Sequence, residues 1–138
     1  MTVSSPPETA LRHPLTELLP PEALLGLERA ADGHVEVRVD RSRLLEVMRV
    51  LKDHPDLRCG LLADICAVDY PDREERFELV YHLANIDTSD RYRVKVAVRE
   101  SDAVAPSVYG IYKAADWFER EAFDLMGVRF DGHPNLRR

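Results

Sequence analysis

Carboxylates, a histidine and arginines are concentrated in the closing stretch of the chain, FEREAFDLMGVRFDGHPNLRR, residues 118–138. In enzymes, carboxylate and imidazole groups act as general acids and bases, and arginines bind anions. The same side chains also form ion pairs between proteins. Which use applies here depends on whether the rest of the chain supplies a nucleophile, a metal site or a cofactor site.

Candidate catalytic groups outside this stretch are few. Asp64 and Asp69 lie five positions apart near the end of a predicted strand, and paired carboxylates can act as general acid and base. Neither a nucleophile nor a metal-ligand set accompanies them, so a role in turns and caps is favoured. His82 falls within a predicted strand, where a hydrogen-bonded or solvent-facing histidine is favoured over a catalytic one.

The sequence contains none of the common cofactor-binding or nucleophile motifs, namely GxGxxG, the P-loop, GxSxG and HExxH. The five histidines are scattered and form no ligand cluster. Cys59 and Cys66 are seven positions apart, which in a strand places them on opposite faces and disfavours a disulfide between them. Their spacing is not that of a zinc knuckle, so we predict buried free thiols.

Length and composition indicate one globular domain. The chain has 138 residues, of which 45% are hydrophobic and 32% charged, and its formal net charge is −6. Nucleic acid is an unsuitable partner for such an acidic domain, because binding phosphates requires a basic surface. The sequence has no run of 18 apolar residues that could span a membrane, and its start lacks the pattern of a secretory signal.

Hydrophobic periodicity and turn residues predict the elements that position these side chains. We expect a disordered tail over residues 1–13 and a single domain over 14–138. Within the domain we predict, in order, a helix over 20–33, a strand over 34–40, a helix over 41–55 with Asp40 as its N-cap, a strand within 57–71, an antiparallel strand pair over 76–87 and 91–100, and a helix over about 108–126. This order predicts an α+β two-layer sandwich, with helices packed on a mostly antiparallel or mixed sheet of four to five strands.

In the strand over 91–100, valines alternate with arginine and lysine, so one face should pack in the core and the other should be basic and exposed. In the last helix, Asp116, Arg120 and Asp124 are spaced to form a ladder of ion pairs. A core-facing stripe is predicted for this helix at Ala115, Phe118, Ala122 and Leu125. Gly127 should end the helix in the left-handed conformation. By itself, this pattern indicates a charged helix and an ordered tail that together form an interaction surface.

The chain contains several distinctive sequence blocks: ERE at 119–121 with Asp124 and LMG after it, GHPNLRR at 132–138, and, upstream, LLADICAVDYPDREERFELVYHL, RYRVKVAV and AADWFERE. Together these blocks resemble one subunit of NADH–quinone oxidoreductase, respiratory complex I: the subunit designated C, which is the bacterial counterpart of the mitochondrial thirty-kilodalton subunit. They follow the family's order and spacing over about residues 57–138, with weaker similarity back to about residue 35. In the family a further C-terminal segment follows the paired arginines, whereas this chain stops at Arg138.

The resemblance implies a subunit that holds no flavin, no iron–sulfur cluster, no metal and no quinone-reducing residue of its own, with FMN and the clusters in partner subunits. It implies a place in the peripheral arm, packed on the subunit designated D and near the one designated B, on the cytoplasmic side of the bacterial membrane and bound to it only through the complex. The residues implied at the interface are Glu119, Arg120, Glu121, Asp124, Gly127, Phe130, Gly132, His133, Pro134, Arg137 and Arg138. We expect His133, Arg137 and Arg138 to find few partners within this chain.

Two other interpretations stay open on the sequence alone. Membrane-bound [NiFe] hydrogenases, formate hydrogenlyases and F420H2 dehydrogenases contain a related subunit with a similar helix. A small hydrolase using Asp64, Asp69 or His133 would instead require a concave site where these groups converge.

Overall fold

The computed structural model describes residues 13–134. Residues 1–13, predicted to be disordered, therefore lie almost entirely outside the described part of the chain. The elements, in chain order, are α1 (Leu15–Leu18), a 3-10 helix (Pro21–Ala23), β1 (Gly26–Arg29), β2 (Val35–Arg38), a second 3-10 helix (Arg41–Arg43), α2 (Leu44–Asp53), β3 (Leu61–Asp69), β4 (Phe77–Ala84), β5 (Arg91–Val98), β6 (Val104–Pro106), α3 (Ala115–Met126) and β7 (Arg129–Asp131).

Five strands form one mixed sheet in the order β1-β2-β5-β4-β3. β2 and β5 pair in parallel, and the other neighbours pair antiparallel. The pair β6 and β7 forms a separate, parallel ribbon. The predicted fold class, an α+β arrangement of helices on a mixed sheet of four to five strands, is confirmed.

One face of the large sheet builds the hydrophobic core. Tyr81 on β4 lies opposite Val94 on β5, which lies opposite Val37 on β2, and all three side chains are fully buried. Because side chains alternate along a strand, every second residue of these strands faces the same layer. Helix α2 adds Leu44, Val47, Met48 and Leu51 to this cluster, and α3 adds Ala115 and Ala122. The helices therefore form the second layer of the sandwich.

The opposite face of the sheet carries charges, but Arg93 and Lys95 on β5 are half-buried and paired, so the prediction of an exposed basic face on β5 is wrong there. Glu36 on β2 lies 3.0 Å from Arg93 and 3.2 Å from Lys95 on β5. Across the sheet, Arg38 lies 3.1 Å from Glu78, a carboxylate that is almost fully buried. The sequence of β5 shows only the cations Arg93 and Lys95, because the acid that pairs with them, Glu36, is on β2.

The predicted helix over 20–33 is also wrong. Residues Pro21–Ala23 make one turn of 3-10 helix, and Gly26–Arg29 then form β1. Gly33, with φ of 90°, lies in the turn that brings β1 back along β2. Pairing of Leu27 with Val37 adds a strand to the sheet, and this pairing overrides a local leucine pattern that glycine at position 26 already weakens.

The second predicted helix is confirmed as α2, preceded by the 3-10 turn Arg41–Arg43. The Asp40 side chain accepts a hydrogen bond from the backbone N–H of Ser42 at 2.9 Å, so its predicted capping role is confirmed. The last helix begins at Ala115, later than predicted, because residues 108–114 form turns in which Val108, Ile111 and Tyr112 are buried. The helix ends as predicted, since Gly127 has φ of 78°.

Replacing Gly127 with valine should lower the free energy of unfolding by more than about 1 kcal/mol, because a β-branched residue is strained at a positive φ. Gly110→Val is the matched control, since Gly110 is not at a positive φ and its added Cβ would meet nothing within 4 Å. Chemical denaturation of both variants measures the difference. Equal stabilities of the two variants would show that the left-handed cap is unimportant.

Candidate subunit interface

Helix α3 positions the charged residues of the closing stretch, and its buried side differs from the predicted one. The buried residues are Ala115, Glu119 and Ala122, spaced four and three positions apart. Phe118 is only half-buried, and Leu125, predicted to face the core, is 80% exposed. The buried side of the helix is therefore turned by about 45° from the predicted stripe, which brings a carboxylate into the protein interior.

The Glu119 carboxylate is fully buried and both of its oxygens accept hydrogen bonds. The Ser107 hydroxyl donates to Oε1 at 2.6 Å, and the backbone N–H of Val108 donates to Oε2 at 2.8 Å. Ser107 Oγ in turn accepts from the backbone N–H of Tyr109 at 3.1 Å. Glu119 thus ties the middle of α3 to the turn that follows β6. This residue was predicted at a subunit interface, but in the described chain its partners are internal.

Burial dominates the electrostatics of this carboxylate. It raises the pKa of Glu119 above its ordinary value, although the hydrogen bonds from Ser107 and Val108 favour the charged form. The nearby Tyr81 hydroxyl is buried without a hydrogen-bond partner among residues 13–134, and burial together with the Glu119 charge raises the pKa of Tyr81 well above its ordinary value. These groups lie in the interior, where no substrate can reach them.

His133 is held inside the chain, so the expectation that it would find few partners is wrong. Its side chain is fully buried, and Nε2 lies 3.0 Å from the backbone carbonyl oxygen of Asp116 and 3.3 Å from its Oδ1. The loop after β7 is thereby attached to the first turn of α3. Pro134 follows at the surface.

The predicted ladder of ion pairs along α3 is absent from the described residues. There, Arg120 lies within ion-pair distance of neither Asp116 nor Asp124, and Asp116 contacts His133 instead. Of the other predicted interface residues, Phe130 is buried and Gly132, with φ of 87°, forms an exposed turn. Arg137 and Arg138 lie outside the described residues. The residues of this group that face outward are Glu121, Asp124, Gly132 and Pro134.

The other candidate residues have local structural partners. Asp69 accepts two hydrogen bonds from the Arg76 guanidinium, at 2.7 and 3.0 Å. Asp64 Oδ2 lies 2.9 Å from Cys66 Sγ. His82 is half-buried, and burial lowers its pKa. With His133 bound to Asp116, the acid–base groups of the hydrolase interpretation are each engaged in a different part of the structure.

Both cysteines are free thiols, as predicted, although only Cys59 is buried and Cys66 is half-buried. Across residues 13–134, no three His, Cys, Asp or Glu side chains are grouped so that they could hold a metal ion. Over the same residues, no helix has the length and apolar character required to cross a bilayer.

Replacing Glu119 with glutamine should change how stability depends on pH. The unfolded carboxyl loses its proton at about pH 4.3, whereas the folded one keeps its proton to higher pH because its pKa is raised. Above that pH the folded chain therefore binds more protons than the unfolded chain. The stability of the unsubstituted protein relative to Glu119→Gln should fall as pH rises from the unfolded pKa to the folded pKa. Denaturation of both proteins at several pH values measures this difference in stability. A stability difference that stays constant or increases with pH would contradict a raised pKa for Glu119.

Glu119→Ala should be less stable than Glu119→Gln, because alanine leaves the Ser107 hydroxyl and the Val108 N–H without an acceptor. Each buried unsatisfied group costs about 1–3 kcal/mol. Glutamine retains an acceptor oxygen for Val108 and can donate to Ser107 Oγ. Equal stabilities of the two variants, measured by chemical denaturation, would indicate that these hydrogen bonds contribute little.

Residues 37–138 match the family described as respiratory-chain NADH dehydrogenase, 30 Kd subunit. In Caulobacter sp. (strain K31), the NADH-quinone oxidoreductase subunit that is designated C is 48% identical over 108 residues, which cover 78% of this chain and 50% of that protein. The chain thus spans about half the length of this curated relative.

Two solved structures share the fold. A trypsin-resistant fragment of Nqo5 superposes with a TM-score of 0.70 at 35% identity and covers 80% of this chain and 88% of the fragment. A chain of the membrane-bound sulfane sulfur reductase, an archaeal respiratory membrane complex, superposes with a TM-score of 0.64 at 36% identity, covering 72% of this chain and 58% of that one. These matches confirm the resemblance drawn from the ERE and GHPNLRR blocks. The chain belongs to the family of the 30 Kd subunit of respiratory-chain NADH dehydrogenase.

Proposed function

We propose that this chain is a non-catalytic subunit of the peripheral arm of a proton-translocating NADH–quinone oxidoreductase. It holds and orders neighbouring subunits, chiefly those designated D and B, near the quinone site, and it carries no flavin, iron–sulfur cluster or metal of its own. The complex attaches it to the cytoplasmic side of the cell membrane. The observation that carries this proposal is the family match over residues 37–138.

The distribution of acid–base groups supports a structural role. The most buried carboxylate, Glu119, is closed off by internal hydrogen bonds. Asp69, Asp64 and His133 are engaged separately and do not converge. A catalytic site needs such groups within reach of a common substrate atom. The chain's contribution to the oxidoreductase is therefore the shape and charge of its surface.

A second candidate function stays within the same superfamily. The likeness to a chain of the sulfane sulfur reductase favours a subunit of a related membrane complex, such as a membrane-bound [NiFe] hydrogenase, formate hydrogenlyase or F420H2 dehydrogenase. In either case the chain would brace other subunits. The composition of the purified complex distinguishes the two candidate functions, since only NADH–quinone oxidoreductase should contain flavin- and NADH-binding subunits and oxidise NADH.

The purified chain should bind no redox cofactor and oxidise no NADH, because its sequence has no phosphate-binding loop and no cysteine ligand set for a cluster. Visible absorption spectra and an NADH oxidation assay measure both properties, with the whole purified complex as the positive control. Flavin or iron absorption that persists through purification of the single chain would contradict the proposal.

Replacing both Arg137 and Arg138 with alanine should weaken assembly with the subunit designated D and lower quinone reductase activity in membranes. Arginine's planar fork suits bidentate pairing with carboxylates, so the expected partner is an acidic or carbonyl-rich patch on that subunit. The stability of the isolated chain should change by less than about 0.5 kcal/mol, as is usual for surface substitutions. Normal assembly combined with a less stable isolated chain would show instead that these arginines brace this domain internally.

A further inference from the structure

Helix α3 presents a mixed apolar and acidic face to solvent on the side away from its buried stripe. Trp117 is 59% exposed and Leu125 is 80% exposed. Glu121 and Asp124 lie between them in sequence and are also exposed. At 100° per residue, these four side chains fall within a sector of about 100° on the helix surface, and at 1.5 Å per residue the face is about 12 Å long.

The two carboxylates of this face are unpaired in the described part of the chain. Neither Glu121 nor Asp124 forms an ion pair or a hydrogen bond through its side chain within residues 13–134, although most acids on the charged sheet face are paired. Asp124 also lies in the last turn of the helix, where the helix dipole disfavours negative charge. Two unpaired acids beside two exposed apolar side chains stabilise this chain very little by themselves.

The α3 face is held rigidly from behind. Glu119 and Ala115 are buried on the opposite side of the helix, and Glu119 is bonded to Ser107 and Val108. His133 fixes the first turn through Asp116. A surface that is already ordered loses little conformational entropy when a partner binds to it.

We propose that Trp117, Glu121, Asp124 and Leu125 form a docking surface for another protein chain, which offers an apolar pocket rimmed by lysine or arginine side chains. The inference rests on the proposed function, since the partner is then a fellow subunit of the complex. Trp117 is the anchor that fills the pocket, because buried tryptophans commonly dominate binding at interfaces. Glu121 and Asp124 select a basic rim and orient the partner along the helix.

Charge disfavours the other occupants of this face. Anionic lipid headgroups attract basic helices, whereas this face is acidic. A second copy related by two-fold symmetry would bring Glu121 and Asp124 of both chains close together, and like charges repel. Nucleic acid is disfavoured for the same reason. A different protein chain with basic residues satisfies both the apolar and the charged groups.

A photo-crosslinking amino acid in place of Trp117, in the full chain assembled into its complex in the native membranes, identifies the occupant. The matched control carries the same probe in place of Ile86, which is 72% exposed and lies in the β4–β5 turn. We expect the probe at position 117, and not that at 86, to join one other subunit at an apolar site that contains lysine or arginine. Crosslinks to this chain itself, to a second copy or to lipid, or none above the Ile86 control, would overturn the inference.

A charge-reversal experiment tests the acids of the face. Glu121→Lys combined with Asp124→Lys should reduce retention of the chain in the purified complex roughly tenfold or more relative to Asp72→Lys combined with Glu75→Lys. The control makes the same change in net charge at two other exposed acids. Melting curves of both purified chains establish that they fold. Equal retention of the two variants would overturn the inference.

The outcomes also separate this inference from the proposed function. If the unaltered chain purifies with the complex but the α3 face is not in contact with another subunit, the docking surface is wrong and the proposed function stands. If the unaltered chain is absent from any NADH–quinone oxidoreductase, the proposed function fails, and this inference fails with it.

Discussion

The buried carboxylate of Glu119 is the constraint on which the C-terminal third of the structure depends. A carboxylate in the interior is tolerated only when its oxygens are hydrogen-bonded, and here Ser107 and Val108 supply the two donors. Rotating α3 by one residue would separate the carboxylate from both donors. The rotation of the helix, the turn after β6 and the pairing of β6 with β7 are thereby fixed together, and Trp117 and Leu125 face outward as a consequence.

The parts of the fold that follow from local pattern could be predicted from the sequence. Alternating valines identify β2 and β5, Asp40 marks the start of the second helical segment, and Gly127 marks the end of α3. β1 could not be predicted in this way, because its four residues become a strand only when β2 lies beside them. The turns at 108–114 could not be predicted either, because the pattern of their buried apolar residues is the same as at the beginning of a helix.

The charges on the opposite face of the sheet could not be predicted from local pattern either. Arg93 and Lys95 indicate a basic surface when β5 is considered alone, but the parallel pairing of β5 with β2 brings Glu36 within 3.2 Å of both. That pairing joins strands that are more than fifty positions apart in sequence. Local periodicity contains no information about which strand will be the neighbour, so the charge balance of this face depends on the topology.

The candidate interface illustrates why a family resemblance does not distinguish folding from docking. The sequence blocks that carry the resemblance include Glu119 and His133, and residue type alone suggests that both charges meet a partner. Burial separates their roles: these two side chains bond within the chain, whereas Glu121 and Asp124 face solvent. One signal in the sequence was available, since Ala115, Glu119 and Ala122 follow helical spacing on a single side. In this chain the acid between these two small residues is the buried, hydrogen-bonded carboxylate. The side of the helix opposite such a residue is then the side that remains available to another chain.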